Sequence, residues 1–159
     1  MKNNKTNENN FSIIILLAGI VATAMLFFPA MAFPDSDTTF LGYEIVFGTE
    51  FANLGGFVTG QVLWSILGIL AFFLPLAAGL VYVYVKKSAF LSGLLFIAGA
   101  VLLVLIPEYT KTTVTVLNMT NEIDVAWVLS YGVMIAVVCS LIGVFATMIK
   151  SISMSNSKA

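Results

Sequence analysis

The chain has 159 residues, of which 60% are hydrophobic and only 9% charged, with a net charge of −1. A soluble domain of that length cannot hide so much apolar surface, so composition excludes an ordinary soluble globular protein and points to lipid as the solvent. The single Cys139 and the absence of His exclude an intramolecular disulfide, a Cys- or His-built metal site, and any Ser–His or Cys–His nucleophile pair.

All seven basic residues are Lys, and the chain opens on the Asn-rich run MKNNKTNENN. That bias suggests an AT-rich bacterial genome. Residues 1–10 read as a short solvated tail on the cytoplasmic side. Phe11 to Phe33 is the first predicted span. Its 23 residues would make a helix about 34 Å long, enough to cross about 30 Å of hydrocarbon. Pro29 and Pro34 loosen or stop its far end. A rival reading makes Lys2 and Lys5 the start of a secretory signal, with Ala30-Met31-Ala32 as its cleavage site. The apolar run from Phe11 to Phe28 is longer than such a core segment needs, which favours a span.

Residues 34–61 form a polar loop with Asp35, Asp37, Glu44 and Glu50 and no basic residue. Tyr43, Ile45 and Phe47 alternate along 41–47 and predict a short strand. Gly48 and Gly55-Gly56 punctuate the loop. Val62 to Val85 is the second predicted span, with Pro75 inside it as an expected kink. Lys86-Lys87-Ser88 is a tight turn, so the third span, Ala89 to Ile106, runs antiparallel to the second. Residues 107–125 form a second polar loop, in which the alternating, β-branched Thr113 to Val116 predict a strand over about 110–117. Ala126 to Ile149 is the fourth span, and 150–159 trails off as a tail.

Six of the seven lysines fall on one side of this scheme. Only Lys111 falls on the other, with seven of the eight acids. The positive-inside rule then places both termini in the cytosol and both polar loops outside. Trp64 and Trp127 sit at the outer interface, Tyr82 and Tyr84 at the inner one. The expected fold is an all-α integral membrane protein: a four-transmembrane-helix bundle with a small extracytoplasmic β-sheet made by the two outer loops. Its topology resembles that of claudin-type tetraspans. The first loop lacks the tryptophan motif and cysteine pair of that family, so no residue or function is carried across.

Helix association in lipid depends on close packing at small residues. Candidates are Ala18 and Ala22 in the first span, Gly93 in the third, and Gly132, Ala136 and Ser140 in the fourth. Gly19, Thr23, Ala89, Ala100, Gly143 and Thr147 lie beside them. Intramolecular packing is the favoured use, and an oligomer contact the sharper one.

No Asp, Glu, His, Lys or Arg falls within a predicted span, which argues against a proton relay, an ion-coupled transporter and an intramembrane aspartyl protease. The Asp35-Ser36-Asp37 carboxylates are too few for a calcium site and read as solvated surface. No phosphate-binding loop and no basic, aromatic-interleaved patch is present, so neither nucleotide nor nucleic acid is expected. No cofactor, metal or catalytic residue is expected. The best functional reading is a non-enzymatic accessory, scaffold or self-assembling subunit in a bacterial cell membrane. Its partners would be the lipid bilayer and either a second copy or another membrane protein. Tyr43, Phe47, Phe51 and Phe57 are the candidate partner contacts. The alternative is a small transporter or channel component with a site near the Pro75 break, lined by Ser65, Ser92, Ser130 or Tyr131.

Overall fold

A computed structural model describes residues 2–34, 37–85 and 88–156. Helix α1 runs Lys2–Ala24, followed by a 3-10 turn Met25–Phe27 and strand β1 Pro29–Ala32. Then come β2 Thr39–Leu41, helix α2 Gly42–Phe47, β3 Thr49–Leu54 and β4 Val58–Val62. Helix α3 spans Ile66–Tyr84 and α4 Ala89–Val104. A single turn α5, Ile106–Tyr109, leads into β5 Thr112–Val116, β6 Met119–Ile123 and β7 Val128–Leu129. Helix α6, Tyr131–Asn156, closes the described chain.

This architecture corrects the expected all-α, four-transmembrane-helix bundle. The fold is mixed α/β, with 61% helix, 22% strand and two sheets of three and four strands. Among the described residues two segments, Ile66–Tyr84 and Tyr131–Ile152, are long and apolar enough to cross a membrane. The 16 residues of α4 reach only about 24 Å, short of the roughly 30 Å of hydrocarbon. The apolar part of α1 is likewise short, Phe11–Phe27. Hydropathy overcounted because strands take the ends of the apolar runs: Pro29–Ala32, Val62 and Val128–Leu129 all sit in sheets. Unlike the expected tail, residues 2–10 continue α1. The Lys86-Lys87 turn and the Asp35-Ser36 pair lie outside the described residues.

The predicted strand at 41–47 is also corrected. Gly42–Phe47 is helical, and its buried residues Gly42, Ile45 and Val46 fall at the i, i+3, i+4 spacing of one helix face. The Leu41 N–H donates to Glu44 Oε2 at 2.8 Å, closing the first turn of α2. Gly42 lets α2 sit against the Leu26 backbone.

The long helices pack antiparallel through small residues. In α1, Gly19 abuts the Pro75 carbonyl of α3, and Leu16 abuts Gly79. Between α3 and α4, Gly99 faces the Pro75 ring and Ser92 Oγ donates to the Ala78 carbonyl at 2.8 Å. Between α4 and α6, Gly93 faces Thr147 and Gly143 faces the Phe96 ring. One cluster, including Ile15, Ala18, Ala78, Phe96 and Val144, fills the interior of this helical layer. A second, including Leu26, Met31, Phe40, Phe72 and Trp127, fills the junction between helices and sheets.

The three-stranded sheet has the order β2-β1-β7 and is antiparallel throughout. It ties the exit of α1 to the start of α6, where Gly132 lies against the Pro29 carbonyl. The four-stranded sheet has the order β3-β4-β5-β6. Its central pair, β4 with β5, joins the two polar segments that flank the α3–α4 hairpin, in register from Val58↔Val116 to Val62↔Thr112.

Candidate functional site

Two hairpins build the four-stranded sheet. The β3–β4 hairpin turns at Gly55-Gly56, and Asn53 Oδ1 accepts from the Gly56 N–H at 3.1 Å. The β5–β6 hairpin turns on Leu117-Asn118, whose φ values of 49° and 68° are those of a two-residue type I′ loop. The Leu117 N–H donates to the Phe57 carbonyl at 3.0 Å, so the two tips lie side by side.

Cross-strand partners share a face. At the level of the tips, Leu54↔Val58, Val58↔Val116 and Val116↔Met119 are partners, which sets these four residues in one row on one face. Leu54 is 69% exposed and Met119 74%, while the flanking turn residues Phe57 and Leu117 are 67% and 69% exposed. The other face carries Asn53, Thr59, Thr115 and Thr120 at the same level, with Thr115 and Thr120 hydroxyls 2.9 Å apart. At its tips the sheet is therefore two-sided: apolar on one face, polar on the other.

Farther from the tips the apolar face is covered. Phe51 occupies the space a side chain at Gly60 would take, and Val62 and Thr112 are buried. Phe51 continues into an aromatic cluster. Its ring centroid is 5.4 Å from that of Phe33, which stacks on Trp127 at 4.8 Å and 15°. Phe40 meets Trp127 edge-on at 5.4 Å and 89°. Trp127 Nε1 and Thr112 Oγ1 are buried in this region without a hydrogen-bond partner among the described residues. Tyr109 holds the helix side, its hydroxyl donating to the Leu102 carbonyl at 2.9 Å, and burial pushes its phenol pKa up.

The four aromatic residues singled out in the sequence separate. Phe57 belongs to the exposed tip, whereas Phe51 is packed on the junction cluster. Tyr43 and Phe47 are exposed on α2, with Tyr43 centred 6.5 Å from Phe27. Sequence reasoning passed over Leu54, Val58, Val116, Leu117 and Met119. Asn118, a residue that tolerates positive φ, shortly after the β-branched run Thr113–Val116 is the signal that would have found the turn into β6.

The small residues Ala18, Ala22, Gly93, Gly132, Ala136 and Ser140 are all buried within the chain. Gly132 meets backbone of β1 rather than another helix. Pro75 lies inside uninterrupted α3, packed on Gly19 and Gly99. Hydroxyls in the helices close backbone groups. Ser65 Oγ accepts from the Gly68 N–H, Thr23 donates to the Phe72 carbonyl, and Ser140 to the Ala136 carbonyl. Ser130 and Tyr131 lie at the start of α6, where Tyr131 is exposed.

Among the described residues no group of three or more His, Cys, Asp or Glu side chains is placed to hold a metal ion. An exposed ion pair, Lys111 Nζ to Glu122 Oε1 at 3.3 Å, joins the start of β5 to β6. No family model, curated protein or solved structure matches this chain.

Proposed function

We propose that this chain is a non-enzymatic accessory or assembly subunit of a bacterial cell membrane, with its two ends on the basic, cytoplasmic side. The segments Ile66–Tyr84 and Tyr131–Ile152 anchor it in lipid, and α1 and α4 pack along them. Lys2 and Lys5 at the start of α1 and Lys150 near the end of α6 suit the positive-inside rule. The sheet carries the function: its apolar row is presented on the opposite side for an apolar surface of a protein partner.

One observation supports this reading above the others. Leu54, Val58, Val116 and Met119 form a continuous apolar row at the end of the sheet that no element among the described residues covers, with Phe57 and Leu117 beside it. Large apolar side chains gathered in one exposed place mark interaction surfaces, whereas scattered ones do not. Burying such a row contributes about 25 cal/mol for each Å² removed from water.

The test is photocrosslinking in native membranes. A benzophenone amino acid replaces Leu54 or Phe57 in one set of cells and Thr59, on the polar face, in another. A discrete adduct of higher mass from Leu54 and Phe57, absent from Thr59, is expected. No adduct at any of the three positions, or the same adducts at all three, overturns the proposal.

A further inference from the structure

We infer that β6 is an open edge at which a second copy of this chain adds, strand to strand and antiparallel, to give one continuous eight-stranded sheet. The two edges of the four-stranded sheet differ. Edge strand β3 has a register shift between Glu50 and Ala52, and such a bulge twists an edge away from further pairing. Edge strand β6 has no bulge, and its single charge, Glu122, is paired with Lys111 of its own chain. Its five pairs with β5 run without a shift, all five residues are exposed, and it contains no Pro and no Lys.

The hairpin fixes which backbone groups face outward. Val116 and Met119 close a two-residue loop and form a hydrogen-bonded pair, and the pattern alternates along the strand. Met119, Asn121 and Ile123 therefore bond to β5, while the N–H and C=O of Thr120 and Glu122 point away from it. These outward groups match a second β6 lying antiparallel about Asn121. Thr120 then faces Glu122 of the second copy as a hydrogen-bonded pair, and Asn121 faces its own counterpart.

Side chains agree with that register. On the apolar face Met119 lies opposite Ile123 of the other copy, both exposed in the single chain. On the polar face each Glu122 meets Thr120 rather than a second carboxylate, and its own ion pair with Lys111 stays intact. Antiparallel addition about an axis normal to the sheet keeps the two apolar rows on one face, and with that axis along the membrane normal both copies share one orientation in the membrane. The proposal uses the strand edge and does not depend on what covers the apolar row.

Asn121 is the test position. In a non-hydrogen-bonded antiparallel pair the Cα atoms are about 4.5 Å apart, within disulfide range. Asn121→Cys is made in the full chain carrying Cys139→Ala, and membranes are treated with a mild oxidant. A reductant-sensitive band at twice the chain mass is expected. Asn53→Cys, on the bulged β3 edge, is expected to give at least tenfold less. Adding Thr120→Pro, which removes an outward N–H and spares the β5 ladder, is expected to abolish the Asn121→Cys band. No dimer from Asn121→Cys, an equal yield from Asn53→Cys, or a band that survives Thr120→Pro overturns the proposal. A retained Leu54 adduct alongside a lost Asn121 disulfide separates this failure from failure of the partner surface.

Discussion

Trp127 offers a direct contest between two energies. Its indole stacks on Phe33 and meets Phe40 edge-on, yet its buried Nε1 has no partner among the described residues. Replacing Trp127 by Phe keeps an aromatic ring between Phe33 and Phe40. The smaller ring leaves a hollow of about two methyl groups, and each such hollow costs ~1 kcal/mol. Against that, removing a buried, unpaired donor returns about 1–3 kcal/mol. The terms offset, so Trp127→Phe is expected within about 1 kcal/mol of the parent. Trp127→Ala has no such compensation, because both ring contacts vanish and the cavity is large; it is expected to cost about 3–5 kcal/mol. Equilibrium unfolding in mixed micelles, followed by far-UV circular dichroism as the denaturing detergent is raised, compares the three proteins. A loss of more than ~2 kcal/mol in Trp127→Phe would refute the reasoning, since it requires Nε1 to be well bonded.

Two further predictions concern the junction between helices and sheets. Gly132→Ala forces a Cβ to within 2.5 Å of the Pro29 carbonyl oxygen, a backbone atom that cannot swing aside. The same unfolding assay should show a loss of about 1–3 kcal/mol, and an unchanged midpoint would mean β1 is looser than described. Tyr109, outside both helices of spanning length, gives a pH dependence. Burial raises its folded pKa, so the unfolded chain sheds the phenol proton first. The contribution is complete below pH ~10 and is lost as pH rises past it. Tyr109→Phe should flatten the alkaline decline of the unfolding midpoint; a decline as steep as the parent's would exclude Tyr109 as its source.

Local pattern predicted the elements whose neighbours hardly matter. Uncharged 62–85 and 89–106 contain α3 and α4, and the β-branched run at 110–117 contains β5. What escaped was settled by distant partners. Pro29–Ala32 is apolar enough to prolong a helix, but β2 and β7 hold it as a strand. Val62 reads as the start of a span because nothing local records its pairing with Thr112. Gly42–Phe47 alternates like a strand, and the junction cluster instead takes Ile45 and Val46 on the helix face they share with Gly42. The exposed row was illegible for the same reason: it exists only once four strands from two separate segments are in register.

The β4–β5 ladder also has a consequence for biosynthesis. Its two halves leave the ribosome on either side of α3 and α4, so the first hairpin must wait, one edge bare, until the second emerges. A stalled or truncated product that stops before Lys111 keeps that raw edge permanently. Completion of the ladder thus distinguishes a chain that has reached β5 from one that stops short of it.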